Sequence, residues 1–394
     1  MRGKFGVVVA LALILVTSGF AATAKRPVRK PTGTLTTLYN FTCVDGDGCN
    51  PFGKLTADSK GNLWGMTNSG GANSDGTIFE LVKSNNYAET VVHSFDYTDG
   101  AYPFVNELTF DKSGNLYGAT DDGGANGYGT IFEITSSGTF NTLYTFSYSD
   151  GAYPYGGVIV KNGTLYGTTE SGGADGYGTV YSLSGGTLTT IESFDYSNTG
   201  GFPLAGLSMD ASGNLWGTCE VGGSGGSGTL FELTPNGSGW NFNLAHSWDY
   251  TDGGYPYGGK VVFAKKGKGA AFGTTEGGGT SGAGTVWQYK TNGTLNTVYN
   301  FTGSTDGGYP ISAIRIDNAG HFYGTTEGGG NDYGTVFVVT HPKQGSWEES
   351  VVYAFSYSDG GYPYGTILDR GGVLYGTTYT GGTDGYGTVF SLKP

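Results

Sequence analysis

Charge is scarce in this 394-residue chain, at 13% of residues, and the basic side chains are the scarcer kind, 20 Lys and Arg against 33 Asp and Glu. Residues 31–394 carry 14 basic against 33 acidic side chains, a net charge of −19, which excludes nucleic-acid binding by phosphate neutralisation. Histidine is rare as well: His93, His246, His321 and His341 form no metal-ligand motif, and neither a nucleophile elbow nor an HExxH stretch is present. Evidence for catalysis is correspondingly thin, and no catalytic residue is assigned. Outside the N-terminus no segment repeats its apolar residues with a 3.6-residue period, so essentially no helix is expected.

The one long apolar run, Phe5 to Val16, follows Arg2 and Lys4 and leads into Ala22-Thr23-Ala24. Residues 1–24 therefore read as a secretory signal peptide cleaved near Ala24, the run being too short to span a bilayer. The mature chain is expected to be secreted or periplasmic, without a membrane span and monomeric, starting with a basic tail at 25–33 that contains KRPVRK. Export permits disulfides. Of three cysteines, Cys43 and Cys49 bracket a five-residue loop with no further soft ligand nearby, which favours a disulfide over a metal site. Cys219 is left over and reads as a small core residue.

What the chain has in abundance is glycine, 76 residues. Much of it lies in one recurring pattern: LWGMTNSGGANSDGTIFEL (63–81), LYGATDDGGANGYGTIFEI (116–134) and LYGTTESGGADGYGTVYSL (165–183). Four more copies follow at 215–233, 271–289, 322–339 and 374–392, with their shared glycine at 65, 118, 167, 217, 273, 324 and 376. Each copy holds four short runs of strand character, in the third copy 140–146, 153–160, 163–169 and 178–183. Four strands per unit of about 50 residues match the blade of a β-propeller. The expected fold is all-β: a seven-bladed propeller of four-stranded blades over 34–394, preferred to an open solenoid because the end units resemble the middle ones. The chain begins with a lone first-type strand at 34–41 and ends just after a fourth-type strand, so the N-terminal strand is expected to complete the seventh blade.

The L-Y-G-T-T-x-x-G-G-x-x-x-x-G-T-V-F-x-L pattern resembles the bacterial GloVer tandem repeat, found in exported proteins with varied surface-anchoring signals. The resemblance spans essentially the whole mature chain and implies export and a propeller-like repeat fold. It implies no activity. The chain departs from anchored members in showing no recognisable C-terminal anchor.

Recurrence also assigns the glycines. A phosphate cradle should open a helix, whereas GADGYG opens the strand GTVYSL, so these glycines are turn and close-approach positions. Phe132, Tyr166, Phe231, Phe337 and Phe390 are core candidates.

Antiparallel strands place both kinds of long loop on one face. One kind contains Asp-Gly-x-Tyr-Pro, with Asp99 and Tyr102, Asp150 and Tyr153, Asp252 and Tyr255, Asp306 and Tyr309, Asp359 and Tyr362, and Phe202 in the variant fourth copy. The other contains the Gly-Gly pair and acids such as Asp121, Glu170, Glu220, Glu276 and Glu327. None of these loops carries Lys or Arg; the basic residues fall mostly in the opposite turns, Lys60, Lys83, Lys112, Lys161, Lys265, Lys266, Lys268, Lys290, Lys343 and Arg370. Seven of the twelve prolines sit where a second strand is expected to begin.

Turn capping accounts for single aspartates, but it does not require excluding every cation. The acidic, tyrosine-rich face suits glycans, through ring stacking and carboxylate acceptors, or Ca²⁺, for which Asp45-Gly46-Asp47 is the densest oxygen cluster. The expectation is a non-catalytic module binding a glycan or another extracellular polymer, with the Asp-Gly-x-Tyr-Pro residues named above as ligand contacts and no cofactor beyond a possible Ca²⁺. The alternatives are a scaffold for a cell-surface protein and a polysaccharide-degrading enzyme.

Overall fold

The computed structural model describes residues 33–104, 107–264, 269–341 and 346–394. The expected signal peptide, nearly all of the basic tail, and Lys265, Lys266, Lys268 and Lys343 lie outside them. Seven four-stranded antiparallel sheets follow one another along the chain. In the third blade the strands are Val158–Lys161, Thr164–Thr169, Thr179–Ser184 and Thr187–Ser193, counted from the axis outward. In the seventh, Leu368–Arg370, Val373–Thr378 and Thr388–Lys393 are joined by Thr34–Asn40, with Leu35 opposite Leu392 and Asn40 opposite Thr388. The ring is thus closed by hydrogen bonds between the chain's two ends. The one helical element among the described residues is a single 3-10 turn, Lys83–Asn85.

Packing between blades explains much of the repeat. The third strand of every blade contributes a fully buried ring: Phe79, Phe132, Tyr181, Phe231, Trp287, Phe337 and Phe390. Each ring lies across the glycine paired with it on the second strand; a Cβ at Gly217 would stand 2.5 Å from the Phe231 ring, and one at Gly118 2.4 Å from Phe132. The ring leaving the preceding blade's outer strand meets it edge-on or tilted, Phe95 on Phe132 at 5.6 Å and Phe355 on Phe390 at 5.3 Å. At the closure Phe41 meets Phe79 at 5.2 Å in the same way. Such pairs add to burial through their quadrupoles.

Two further positions are built from hydroxyls. Thr67 and Thr77, Thr169 and Thr179, and their counterparts share buried hydrogen bonds of 2.8 to 2.9 Å between the second and third strands. In blade four Cys219 occupies the first threonine's place, buried and in no disulfide, and its thiol hydrogen-bonds with Thr229 opposite it. Of the expected core aromatics, Tyr166 is the one only half-buried; it packs edge-on against Trp240.

The innermost strands are shorter than the sequence suggests, beginning at Val158 rather than Tyr153 in blade three. Tyr153 has φ 58°, and Pro154 packs against Gly129 of the preceding blade; a Cβ at Gly129, whose own φ is 91°, would lie 2.6 Å from the proline Cδ. The same contact links Pro103 with Gly76 and Pro51 with Gly387. The Tyr-Pro segment is therefore the crossing from outer rim to axis, fastened to the blade it leaves, and the proline precedes the strand instead of starting it. It needs no donor there.

Candidate functional site

Both kinds of long connection emerge on one face of the ring, and the shorter hairpin connections, mostly of two or five residues, on the other. The loop face is built from the turn inward. At the outer strand's end every blade has a β-bulge, such as that between Ile78 and Phe79 opposite His93. A bulge re-aims the next side chain. Here it points a tyrosine or histidine at the turn aspartate: His93 Nε2 to Asp99 at 2.8 Å, Tyr144 to Asp150 at 2.7 Å, His246 to Asp252 at 2.9 Å, Tyr299 to Asp306 at 2.9 Å and Tyr353 to Asp359 at 2.5 Å. The same carboxylates accept backbone N–H groups of their own turns, as from Ser147 to Asp150 at 2.9 Å. These five aspartates are thus engaged within the protein, where they hold the turns.

The aromatic residues before proline adopt positive φ, 50° at Tyr102, 56° at Phe202 and Tyr255, 58° at Tyr153 and Tyr309, and 55° at Tyr362. Tyr153 donates its N–H to Tyr128 O at 3.0 Å, while its carbonyl accepts the N–H of Glu170 at 2.9 Å. This backbone relay repeats at Phe202 with Glu220, Tyr255 with Glu276 and Tyr309 with Glu327. Tyr102, Tyr255 and Tyr309 are exposed; Tyr153, Phe202 and Tyr362 are half-buried.

Exposed rings are concentrated on this face. Among the described residues eleven large apolar or aromatic side chains are exposed, and nine of them are tyrosines of the loop face: Tyr97, Tyr148, Tyr196, Tyr250, Tyr357 and Tyr386 besides the three just named. They gather in groups: Tyr128 touches Tyr148 at 5.4 Å and Tyr153 at 6.0 Å, and Tyr333 touches Tyr357 at 5.3 Å and Tyr362 at 6.1 Å.

Nearer the axis, five successive blades place a carboxylate just after the second strand, Asp121, Glu170, Glu220, Glu276 and Glu327, where blades one and seven have Asn68 and Tyr379. Burial pushes Glu170 up to about 6 and Glu276 up to about 7, and their neighbours add to it, Glu220 and Asp122 on the first, Glu327 and Glu220 on the second. Glu220 is raised by burial alone. Asp121 accepts the Phe104 N–H at 3.1 Å, and Glu327 accepts the Tyr364 hydroxyl at 3.0 Å. The sequence counts these acids among the face but does not single them out; their signal was the position three residues after the shared glycine, behind Thr-Thr in three copies, Ala-Thr at Asp121 and Thr-Cys at Glu220.

Cys43 and Cys49 are joined in a disulfide. Asp47 inside that loop is turned onto Thr42, whose N–H and hydroxyl it accepts at 2.7 and 2.8 Å. Among the described residues no three His, Cys, Asp or Glu side chains converge as a metal cluster, and no helix is long and apolar enough to cross a membrane. What the face offers chemically is stacking surface and hydrogen-bond acceptors.

No curated protein matches the chain. Among solved structures it is similar to a Bacteroides uniformis protein provisionally assigned as a 6-phosphogluconolactonase, at 16% identity and TM-score 0.51 over 88% of this chain and 89% of that one. It is also similar to a puromycin-hydrolyzing peptidase of Mycobacterium tuberculosis, at 8% identity and TM-score 0.52, covering 92% of this chain and 55% of that one. A puromycin hydrolase matches at 9% identity and TM-score 0.54, over 85% and 50%. At such identities the likeness is one of fold. The repeat itself is more specific: residues 88–268 and 242–394 match the Gloeobacter/Verrucomicrobia repeat, and the chain belongs to that family.

Proposed function

We propose that the protein is a non-catalytic binding module for an extracellular glycan or related polymer, which it engages through the loop face. The observation that carries this reading is the confinement of nine exposed tyrosines to that one face. An exposed ring otherwise serves solubility poorly, and grouped rings mark interaction surfaces. Sugar rings stack on such faces while their hydroxyls donate to carboxylates, and the carboxylates nearer the axis supply acceptors. Secretion after cleavage near Ala24 would put the face in contact with such polymers.

Affinity electrophoresis of the purified chain through a panel of polysaccharides tests this. Retention by at least one polymer is expected, with a loss of about tenfold or more in the Tyr148→Ala, Tyr250→Ala, Tyr357→Ala triple variant, since each stacking ring contributes on the order of 1 kcal/mol. No retention across the panel, or retention indifferent to the three tyrosines, would refute it. Stoichiometric capture of an envelope protein without added sugar would favour the scaffold reading instead.

A further inference from the structure

The blades repeat closely on the loop face and in the core, but not along the axis. Immediately before the buried aliphatic residue of the innermost strand, the seven copies carry Lys54, Glu107, Gly157, Gly206, Lys260, Ala313 and Thr366. This slot borders a cavity of about 500 Å³ that runs down the innermost strands. Glu107 of blade two receives the ammonium of Lys54 from blade one and, at 2.9 Å, that of Lys260 from blade five. Lys260 reaches across because blades three and four have no side chain in the way: a Cβ at Gly206 would stand 2.3 Å from Lys260 Cε, and one at Gly157 2.8 Å from the Glu107 backbone.

The charges in this cavity do not balance. Glu107 lies well below the usual carboxylate range; burial opposes its ionisation, but the two ammonium groups outweigh it. One carboxylate between two lysines leaves a positive charge over. Arg315, also on the lining, stands 3.8 Å from its nearest carboxylate, Asp369, outside hydrogen-bond reach, and its side chain is 38% exposed. Burying charged groups costs several kcal/mol per ion unless they are matched, and a propeller needs none of them at its axis, as Ala313 and Thr366 demonstrate in the same slot. Each lysine spends one of its three donors on Glu107. At the loop-face end Phe52 is stacked between Phe104 and Tyr364, at 4.0 and 4.4 Å. The Arg315–Ile316 strand leads to the turn face, where most of the remaining basic residues are found.

We propose that the axial cavity is a second binding site, for a small organic molecule bearing an oxyanion, a carboxylate or a phosphate, held by Lys54, Lys260 and Arg315. The volume lies within the range of small-molecule sites, and the mixture of apolar wall with a few convergent polar groups is their usual construction. Glu107 acts as the internal counter-ion that keeps the lysines in place while the site is empty. The site is independent of the loop face.

The test is calorimetric titration of the purified chain with sodium citrate and, separately, with inorganic phosphate at low ionic strength, sodium chloride serving as the ionic control. Citrate and phosphate distinguish a carboxylate from a phosphate preference. Saturable binding of at least one, at one per chain, is expected. Glu107→Gln removes the competing anion and should tighten it about threefold or more, an effect that loss of a merely structural ion pair would not produce. Arg315→Gln, at a side chain 38% exposed and 3.8 Å from Asp369, should weaken it about tenfold. The proposal is overturned if neither anion saturates or if either variant leaves the affinity unchanged.

Discussion

Gly217 and Tyr181 show how sharply single side chains are constrained in this ring. A Cβ at Gly217 would overlap the Phe231 ring at 2.5 Å, so Gly217→Ala should destabilise the protein by about 1–3 kcal/mol, the usual cost of overpacking a dense core. A lower urea midpoint with an unchanged slope would report it. Tyr181 is the opposite case. Five of the six equivalent positions hold phenylalanine and one tryptophan, and the Tyr181 hydroxyl is fully buried without a hydrogen-bond partner among the described residues. Removing an unsatisfied buried hydroxyl relieves a desolvation cost of about 1–3 kcal/mol, so Tyr181→Phe should raise the melting temperature. A fall would mean that the hydroxyl has a partner.

At the scale of elements, the outer strand Thr34–Asn40 and the Tyr-Pro crossing hold the blades to one another. Phe41 directly follows that outer strand and packs on Phe79 across the closure. Phe41→Ala should cost about 3–5 kcal/mol, as for other buried phenylalanines, and it should do so in one cooperative urea transition because the ring has no other seam. A second transition would show the seventh blade melting separately. The periodic Thr, Val and aromatic runs made the four strands per blade legible. The short innermost strand was not, because VIVK and the preceding YPYGG look equally extended in sequence, and the positive φ at Tyr153 and at Gly157 separates them.

The whole molecule stores an excess of half-buried carboxylates, and its stability should depend on pH in an unusual direction. Burial raises Glu89 to about 7, aided by Asp47, and Glu349 to about 8, aided by Asp306; Glu276 lies at about 7 and Glu170 at about 6. One oxygen each of Glu89 and Glu349 is buried without a hydrogen-bond partner among the described residues. These groups hold protons in the folded state at pH values where the unfolded chain, near its ordinary value of about 4.5, has lost them. Protons then favour the folded form, and stability falls as pH rises from about 4.5 to 8 and levels off above. Thermal melts should give a higher midpoint at pH 5 than at pH 8. Glu349→Gln should raise the midpoint at pH 8 and leave it nearly unchanged at pH 4.5; equal effects at both would refute the assignment.

The repeat, the number of blades, the closing role of the N-terminal strand and the separation of long loops onto one face all followed from the amino-acid order, because period and strand alternation are local properties that seven copies make unambiguous. The roles of individual acids did not. Asp150 and Asp359 read like Glu170 and Glu276 in sequence, yet the first pair is bound by Tyr144, Tyr353 and their own turns, while the second stands near the axis with raised proton affinity. The axial cations were still less visible, since Lys54, Lys260 and Arg315 are far apart in the chain and meet only when the ring closes. A carboxylate's partners and the charge balance of a cavity depend on distance through space, and the tertiary structure alone sets that distance.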